Sequence, residues 1–260
     1  MADRLALDPV DDDIDVFVSR RPPNPRHVFG GLLIGQALRA AALTVPSDRT
    51  AHALHASFVE AGAGGEPIRY AVERTRDGGA FATRRVVAEQ DHGAVFVLTA
   101  DFQRDEVGVE YEAPGTPGIP GPDDLPPGRY QTSWFDSCDV PNEAVPDVIP
   151  HTRRSWFRAA APVPDDPALH LQSVAYVSDH GPTRAARAPH VELEDPARRQ
   201  SVSLDHSVWF HRPVDVNDWL LVELVPMATG GGRGLSLGTI RSCAGQLVAT
   251  VAQEVLLRRR

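Results

Sequence analysis

Gly234-Leu235-Ser236-Leu237-Gly238 spells GxSxG, the sharp strand-to-helix elbow on which many hydrolases mount a serine nucleophile. That elbow needs an acid and a histidine further along the chain, and neither Asp nor His follows Ser236. The flanking residues alternate as a strand does, so Ser236 is expected to be a strand residue and not a nucleophile. Just upstream, Gly230, Gly231, Gly232 and Gly234 surround Arg233 without the GxGxxG spacing and precede a strand, which points to a tight hairpin and no dinucleotide. Ten His include no HExxH pair, and two cysteines, Cys138 and Cys243, cannot build a Cys-rich zinc site or a disulfide framework. No metal is expected, and Cys138 in a Pro-rich segment reads as an inert thiol. All 26 basic residues are Arg. Without Lys, the Schiff-base, pyridoxal-type and P-loop mechanisms lose their central group.

The wider composition narrows the classes further. A chain of 260 residues with 42% hydrophobic and 23% charged side chains can bury proper cores and is neither disordered nor a coiled coil. A net charge of −9 without a basic face disfavours duplex nucleic acid as a partner. The N-terminal residues hold five Asp between positions 8 and 15 and no apolar run long enough for a signal peptide or membrane span. No membrane span and a reduced, cytoplasmic compartment are therefore expected. Arg258, Arg259 and Arg260 read as a solvated tail.

The elements that must position any chemistry fall into two similar halves. Residues 106–150 carry nine Pro and leave no room for continuous regular structure, which makes 105–150 a connector between an N-terminal unit (1–104) and a C-terminal unit (151–260). In the first half, apolar residues at helical spacing predict a mostly buried helix over 30–45, followed by strands at 51–59, 68–75, 81–90 and 94–102. In the second, a helix is predicted over 167–178, capped by Asp165 or Asp166, followed by strands at 201–211, 219–227, 235–243 and 247–257. A shift of about 150 positions lays His55 on His206, Gly78 and Gly79 on Gly230 and Gly231, and Gly93 on Gly245. Such a period marks a duplicated domain. One helix that is apolar nearly all round, with an antiparallel meander to wrap it, is the α+β hotdog architecture, here a double hotdog.

Four ordered strings resemble the acyl-CoA thioesterase II family: VFGGLLIGQAL (28–38), RDGGAFATRRVVAEQ (76–90), LDHSVWFHRP (204–213) and VATVAQE (248–254). The match runs from about Leu7 to Leu257, with one departure, Leu32 where the family usually has Gln. The resemblance implies a double-hotdog enzyme that hydrolyses acyl-CoA to free acid and CoA with no cofactor, metal or covalent intermediate. It also implies a catalytic set of Asp179, Ser203 and Gln253. In that set Asp179 accepts a proton from water while Ser203 and Gln253 fix the water in place. The natural partner is acyl-CoA, and a homo-oligomer is expected.

Each of these residues has a plainer reading. Asp179 precedes His180-Gly181-Pro182 and could simply belong to a turn; Ser203 could be a ladder residue; Gln253 could face solvent. Asp205, His206 and His211 compete within seven positions. Alternation places Asp205 with Ser203 and His211 and turns His206 to the opposite face, so a structural role is expected, with Arg212 and Asp205 as ion-pair partners. In the first half Asp101 aligns roughly with Gln253, but no acid and hydroxyl match Asp179 and Ser203, so one site per chain is expected. A non-catalytic acyl-CoA-binding hotdog and a hotdog dehydratase, which needs a His and an acid across the cleft, stay open beside the thioesterase. CoA phosphates call for a local Arg patch, for which Arg84, Arg85, Arg233 and Arg241 are the candidates near the Gly turns.

Overall fold

Thirteen residues with only Gln36 and Arg39 as polar members, GGLLIGQALRAAA, have no face to offer water, and they form a helix over Gly30–Ala42 in which ten residues are buried. The computed structural model describes residues 1–11, 13–19, 27–129, 132, 134–145 and 149–259, without the side chains of 198 and 199. Asp12 of the acidic N-terminal stretch, Pro146 of the Pro-rich segment and Arg260 of the terminal run lie outside them. The chain is an α+β double hotdog in two units. The first holds Met1–Val109, Pro164–Val177 and Ser207–Phe210; the second holds Glu110–Val163, Ser178–His206 and His211–Arg260.

The first unit runs α1 (Ala2–Leu5), β1 (Leu7–Pro9), β2 (Val16–Ser19), α2 (Gly30–Ala42), β3 (Arg49–Phe58), β4 (Arg69–Asp77), β5 (Phe81–Gln90) and β6 (Gly93–Arg104). Its strands are ordered β1-β2-β4-β5-β6-β3, and α2 packs on β3 to β6 from one side. Strand β5 alternates strictly, with Ala82, Arg84, Val86 and Ala88 turned to the core. Residues Pro164–Val177 join this unit through the small residues of α2. A Cβ added at Gly31 would lie 2.2 Å from the Tyr176 carbonyl oxygen, and one at Gly35 would lie 3.2 Å from that of Gln172. Four residues apart on one helix face, these two glycines let a second backbone approach where any side chain would hold it off.

The elements that follow are β7 (Phe135–Val140), β8 (Arg153–Ala159), α3 (Pro167–Ser178), α4 (Pro182–Arg187), β9 (Arg199–Ser203), β10 (Asp205–Phe210), β11 (Leu220–Gly230), β12 (Arg233–Ser242) and β13 (Leu247–Arg259). In the second unit the strand order is β13-β12-β11-β8-β7, with β9 also on β13, and α4 lies on β11, β12 and β13. The Asp166 carboxylate accepts the Ala168 and Leu169 N–H groups at 3.0 and 3.3 Å, the cap expected for α3. The glycine run is the expected hairpin: Gly230 faces Arg233, and Gly231 and Gly232 take φ of 57° and 75°, the two left-handed residues of a type I′ turn.

Two expectations are corrected. The Pro-rich segment does hold regular structure, because its six residues Phe135–Val140 contain no proline and pair with β8. Arg258 and Arg259 are solvated, as expected, but they are not a tail: they continue β13 opposite Gln200 and Arg199, and the Arg259 guanidinium pairs with Glu192.

Candidate active site

Strand β13 buries every second residue, Val251, Gln253, Val255 and Leu257, so Gln253 is one amide in an apolar row and is 0% exposed. A buried amide must find partners or destabilise the fold. Across β9, Ser203 pairs with Val255 and so shares the face of Gln253, whose Nε2 donates to Ser203 Oγ at 2.7 Å. The other end of the amide, Oε1, lies 2.5 Å from His206 Nδ1, and His206 Nε2 lies 2.8 Å from Ser178 Oγ. An amide oxygen only accepts, so Nδ1 of His206 carries the hydrogen. Burial holds this imidazole neutral, its pKa pushed down from 6.5 to about 4. Its Nε2 is then an acceptor for the Ser178 hydroxyl. Every bond in the chain Ser178, His206, Gln253, Ser203 therefore donates in one direction and leaves the Ser203 O–H to donate onward.

Asp179 is the residue after Ser178, where α3 gives way to the turn His180-Gly181. Gly181 has φ of 114°, and a Cβ there would meet Leu224 Cδ1 at 2.8 Å, so both conformation and space call for glycine. Pro182 then opens α4. His180 stacks on Phe157 with ring centroids 6.0 Å apart, and desolvation pushes its pKa to about 4. Asp179 is thus flanked by a serine in the buried chain and by a neutral imidazole. Of the three residues proposed from the sequence, Ser203 and Gln253 are in direct contact, and Asp179 is one peptide from the far end of their hydrogen-bond chain.

The part played by His206 was not legible. Alternation from Ser203 turned it to the opposite face, but β9 ends at Ser203 and β10 begins at Asp205, and the break at Leu204 resets the faces so that both side chains reach Gln253. The same break explains Asp205. The Leu204 N–H donates to the Glu254 carbonyl at 3.0 Å, and Asp205 Oδ1 accepts the Glu254 N–H at 2.7 Å, clamping the peptide next to Gln253. The expected ion pair of Asp205 with Arg212 is not formed; Arg212 instead pairs with Glu112 at 3.2 Å and Glu110 at 3.5 Å. Ser178 carried no signal beyond being the last, polar residue of an apolar helix.

The other residues singled out from the sequence sit in different settings. Ser236 is mid-strand in β12, opposite Gln253, with no turn or helix after it. Cys138 lies on β7, and burial pushes its thiol upward, away from the thiolate form. Among the described residues no three His, Cys, Asp or Glu side chains gather as metal ligands, and no helix is long and apolar enough to cross a membrane. Of the Arg candidates for CoA, Arg84 is fully buried and Arg241 donates to the Gly245 and Ala113 carbonyls, while Arg233 and Arg85 are half-exposed and pair at the surface with Glu254 and Glu73.

Residues 19–103 match the family described as acyl-CoA thioesterase N-terminal domain, and residues 111–257 the acyl-CoA thioesterase C-terminal domain. The chain is 33% identical over 258 residues to acyl-CoA thioesterase 2 of Haemophilus influenzae, covering 90% of this chain and 88% of that protein. It is 33% identical over 282 residues to human acyl-coenzyme A thioesterase 8, covering 98% and 87%. Among solved structures, an acyl-CoA thioesterase II from Mycobacterium marinum superposes with a TM-score of 0.88 at 34% identity, covering 99% of this chain and 96% of that one. A hot dog fold protein from Alicyclobacillus acidocaldarius, at 23% identity and a TM-score of 0.78, shares the fold.

Proposed function

The chain belongs to the acyl-CoA thioesterase II family and is a thioester hydrolase, and from that premise we propose that it cleaves acyl-CoA with a water held by Asp179, Ser203 and Gln253. The observation that carries this reading is the bond from Gln253 to Ser203, made by a fully buried amide that His206 holds from behind. Oriented this way, Gln253 has a second Nε2 hydrogen to offer and Ser203 has its hydroxyl hydrogen, so both can fix a water beside a carboxylate.

The chemistry asks for little more. A thioester is an activated acyl donor, so no serine nucleophile is needed. The Asp179 carboxylate takes a proton as the water oxygen bonds to the acyl carbon. Collapse of the tetrahedral intermediate breaks the carbon–sulfur bond, and the proton on Asp179 passes to the departing CoA sulfur. The acid and CoA leave, and the site regains its starting protonation state. His206 stays neutral throughout and acts only through the amide. The dehydratase alternative needs a His and an acid facing the acyl group, whereas His206 is used up at both nitrogens.

The test is hydrolysis of an acyl-CoA series followed by thiol release. Asp179→Asn is expected to lower kcat by about 100-fold or more with KM little changed, the size of a lost general base. Full activity in a folded Asp179→Asn protein removes the proposal.

A further inference from the structure

Asp179 opens the turn that leads from α3 into α4, and both of its neighbours are tied down. On one side, the Ser178 hydroxyl lies 2.8 Å from His206 Nε2. On the other, the His180 ring lies on Phe157 at a centroid distance of 6.0 Å and an interplanar angle of 28°. Phe157 is a rigid platform: it is 1% exposed and sits mid-sheet on β8, paired with Ser137 of β7 and Leu220 of β11. Further along the same two strands, Val222 stands opposite Ser155 and Leu224 opposite Arg153. Alternation turns Arg153, Ser155 and Phe157 to one face, and the turn packs there. The space left beside the ring is about 10 Å3, bordered by these side chains together with Gly181 and Arg184, and a single water would fill it. The ring therefore has no room to swing away. Gly181 completes the fit, with φ of 114° and Leu224 Cδ1 2.8 Å from where its Cβ would be.

We propose that His180 is a positioning residue of the reaction, its stacked ring fixing the backbone that carries the Asp179 carboxylate. This rests on the reading of Asp179 as the base, because a turn that held no reacting group would need no such precision. A carboxylate that takes a proton from an attacking water must keep its place closely, and a misplacement of about 1 Å costs a reaction on the order of 100-fold. Consecutive Cα atoms are about 3.8 Å apart, so anchors on both neighbours leave the Asp179 backbone little freedom. The imidazole supplies position and not charge, since desolvation keeps it neutral with a pKa of about 4. Asp179 as a turn residue and Asp179 as a base are then one reading: the turn is what holds the base.

The test is a double-mutant cycle on acyl-CoA hydrolysis, with kcat taken per folded molecule. His180→Ala is expected to lower kcat about tenfold with KM unchanged, the effect of a base displaced by less than about 1 Å. Added to Asp179→Asn, the same change should cost almost nothing more, because it acts only through that carboxylate. His180→Phe, which keeps a ring over Phe157, should recover most of the lost rate. A purely structural role would lower stability while leaving kcat per folded molecule unchanged. Full kcat in His180→Ala, an undiminished loss in the Asp179→Asn background, or a His180→Phe protein as slow as His180→Ala overturns the positioning role. Phe157→Leu removes the platform instead of the ring, and it carries the same expectation and the same overturning results if His180→Ala does not fold. Full activity in Asp179→Asn by itself strikes the base reading, and that single variant tells the two failures apart.

Discussion

The two units place different residues at the same point of their central hairpins. Counted from the turn, Arg84 and Ala100 face each other across β5 and β6 where Ser236 and Gln253 face each other across β12 and β13. In the first unit, the Arg84 guanidinium is 0% exposed and gives every N–H to a neighbour. It donates to Thr44 Oγ1 and the Thr44 carbonyl, to the Arg76 and Thr83 carbonyls, and to Asp77 Oδ1 at 2.6 Å. In the second, the amide of Gln253 is held at both ends, yet the chain finishes on a serine hydroxyl with a hydrogen still to give. A closed polar knot fastens the end of α2 to the sheet, whereas an open one can address a ligand. Buried polar groups at matching points of a duplicated fold are thus closed off in one copy and left with a donor in the other.

The comparison also corrects the pairing of Asp101 with Gln253. Hairpin register makes Ala100 the counterpart, and Asp101 points to the other face, where it accepts the Thr83 hydroxyl at 2.6 Å. An error of one residue reverses the face of a strand, and alignment of the two halves by sequence carried that error.

The contrast can be broken from either side. The largest effect is expected at the closed knot. Arg84→Met should destabilise the protein by on the order of 3 kcal/mol, since it strips partners from buried carbonyls, while turnover per folded molecule stays near wild type; denaturant melts and assays on the same samples check both. At the open chain, Gln253→Ala should lower kcat about tenfold, the worth of one well-placed hydrogen bond. Combined with Asp179→Asn it should cost much less than the two effects multiplied, because both act on one water. Asp101→Asn, the false counterpart in the first unit, should leave kcat unchanged.

A smaller effect is expected from pH. His206 titrates at about 4 in the fold against 6.5 ordinarily, so between those values the unfolded chain takes up a proton that the fold refuses. Its contribution is complete above about pH 6.5 and is lost as pH falls toward 4. Denaturation midpoints across that range should fall less steeply in His206→Gln. The smallest effect belongs to Ser236, whose hydroxyl is buried and has no hydrogen-bond partner among the described residues. Ser236→Ala should leave both turnover and stability nearly as they are, and loss of activity in a folded protein would restore the nucleophile elbow.

Much of this molecule was determined by local chemistry. Apolar residues on every face of Gly30–Ala42 can form only an enclosed helix, and the limits of α3 and β5 fell where periodicity placed them. The paired glycines of the β11–β12 hairpin and the Asp166 cap act through neighbours in sequence, so their types sufficed. Four motifs in order were enough to mark the family, and Asp179, Ser203 and Gln253 were suggested by that resemblance alone.

What only the tertiary structure decided lies where faces and distant segments meet. The break at Leu204 turned His206 inward, and no composition or period shows a one-residue interruption between two strands. The bulges in both central hairpins set which residue opposes which, so Ala100 and not Asp101 stands for Gln253. Arg129 from a loop and Arg184 from α4 meet at the Asp139 carboxylate, at 3.5 and 3.9 Å, and their separation in sequence carries no trace of that shared partner. Side-chain direction depends on register, and local charge on what folding brings alongside; neither is a property of a residue and its sequence neighbours.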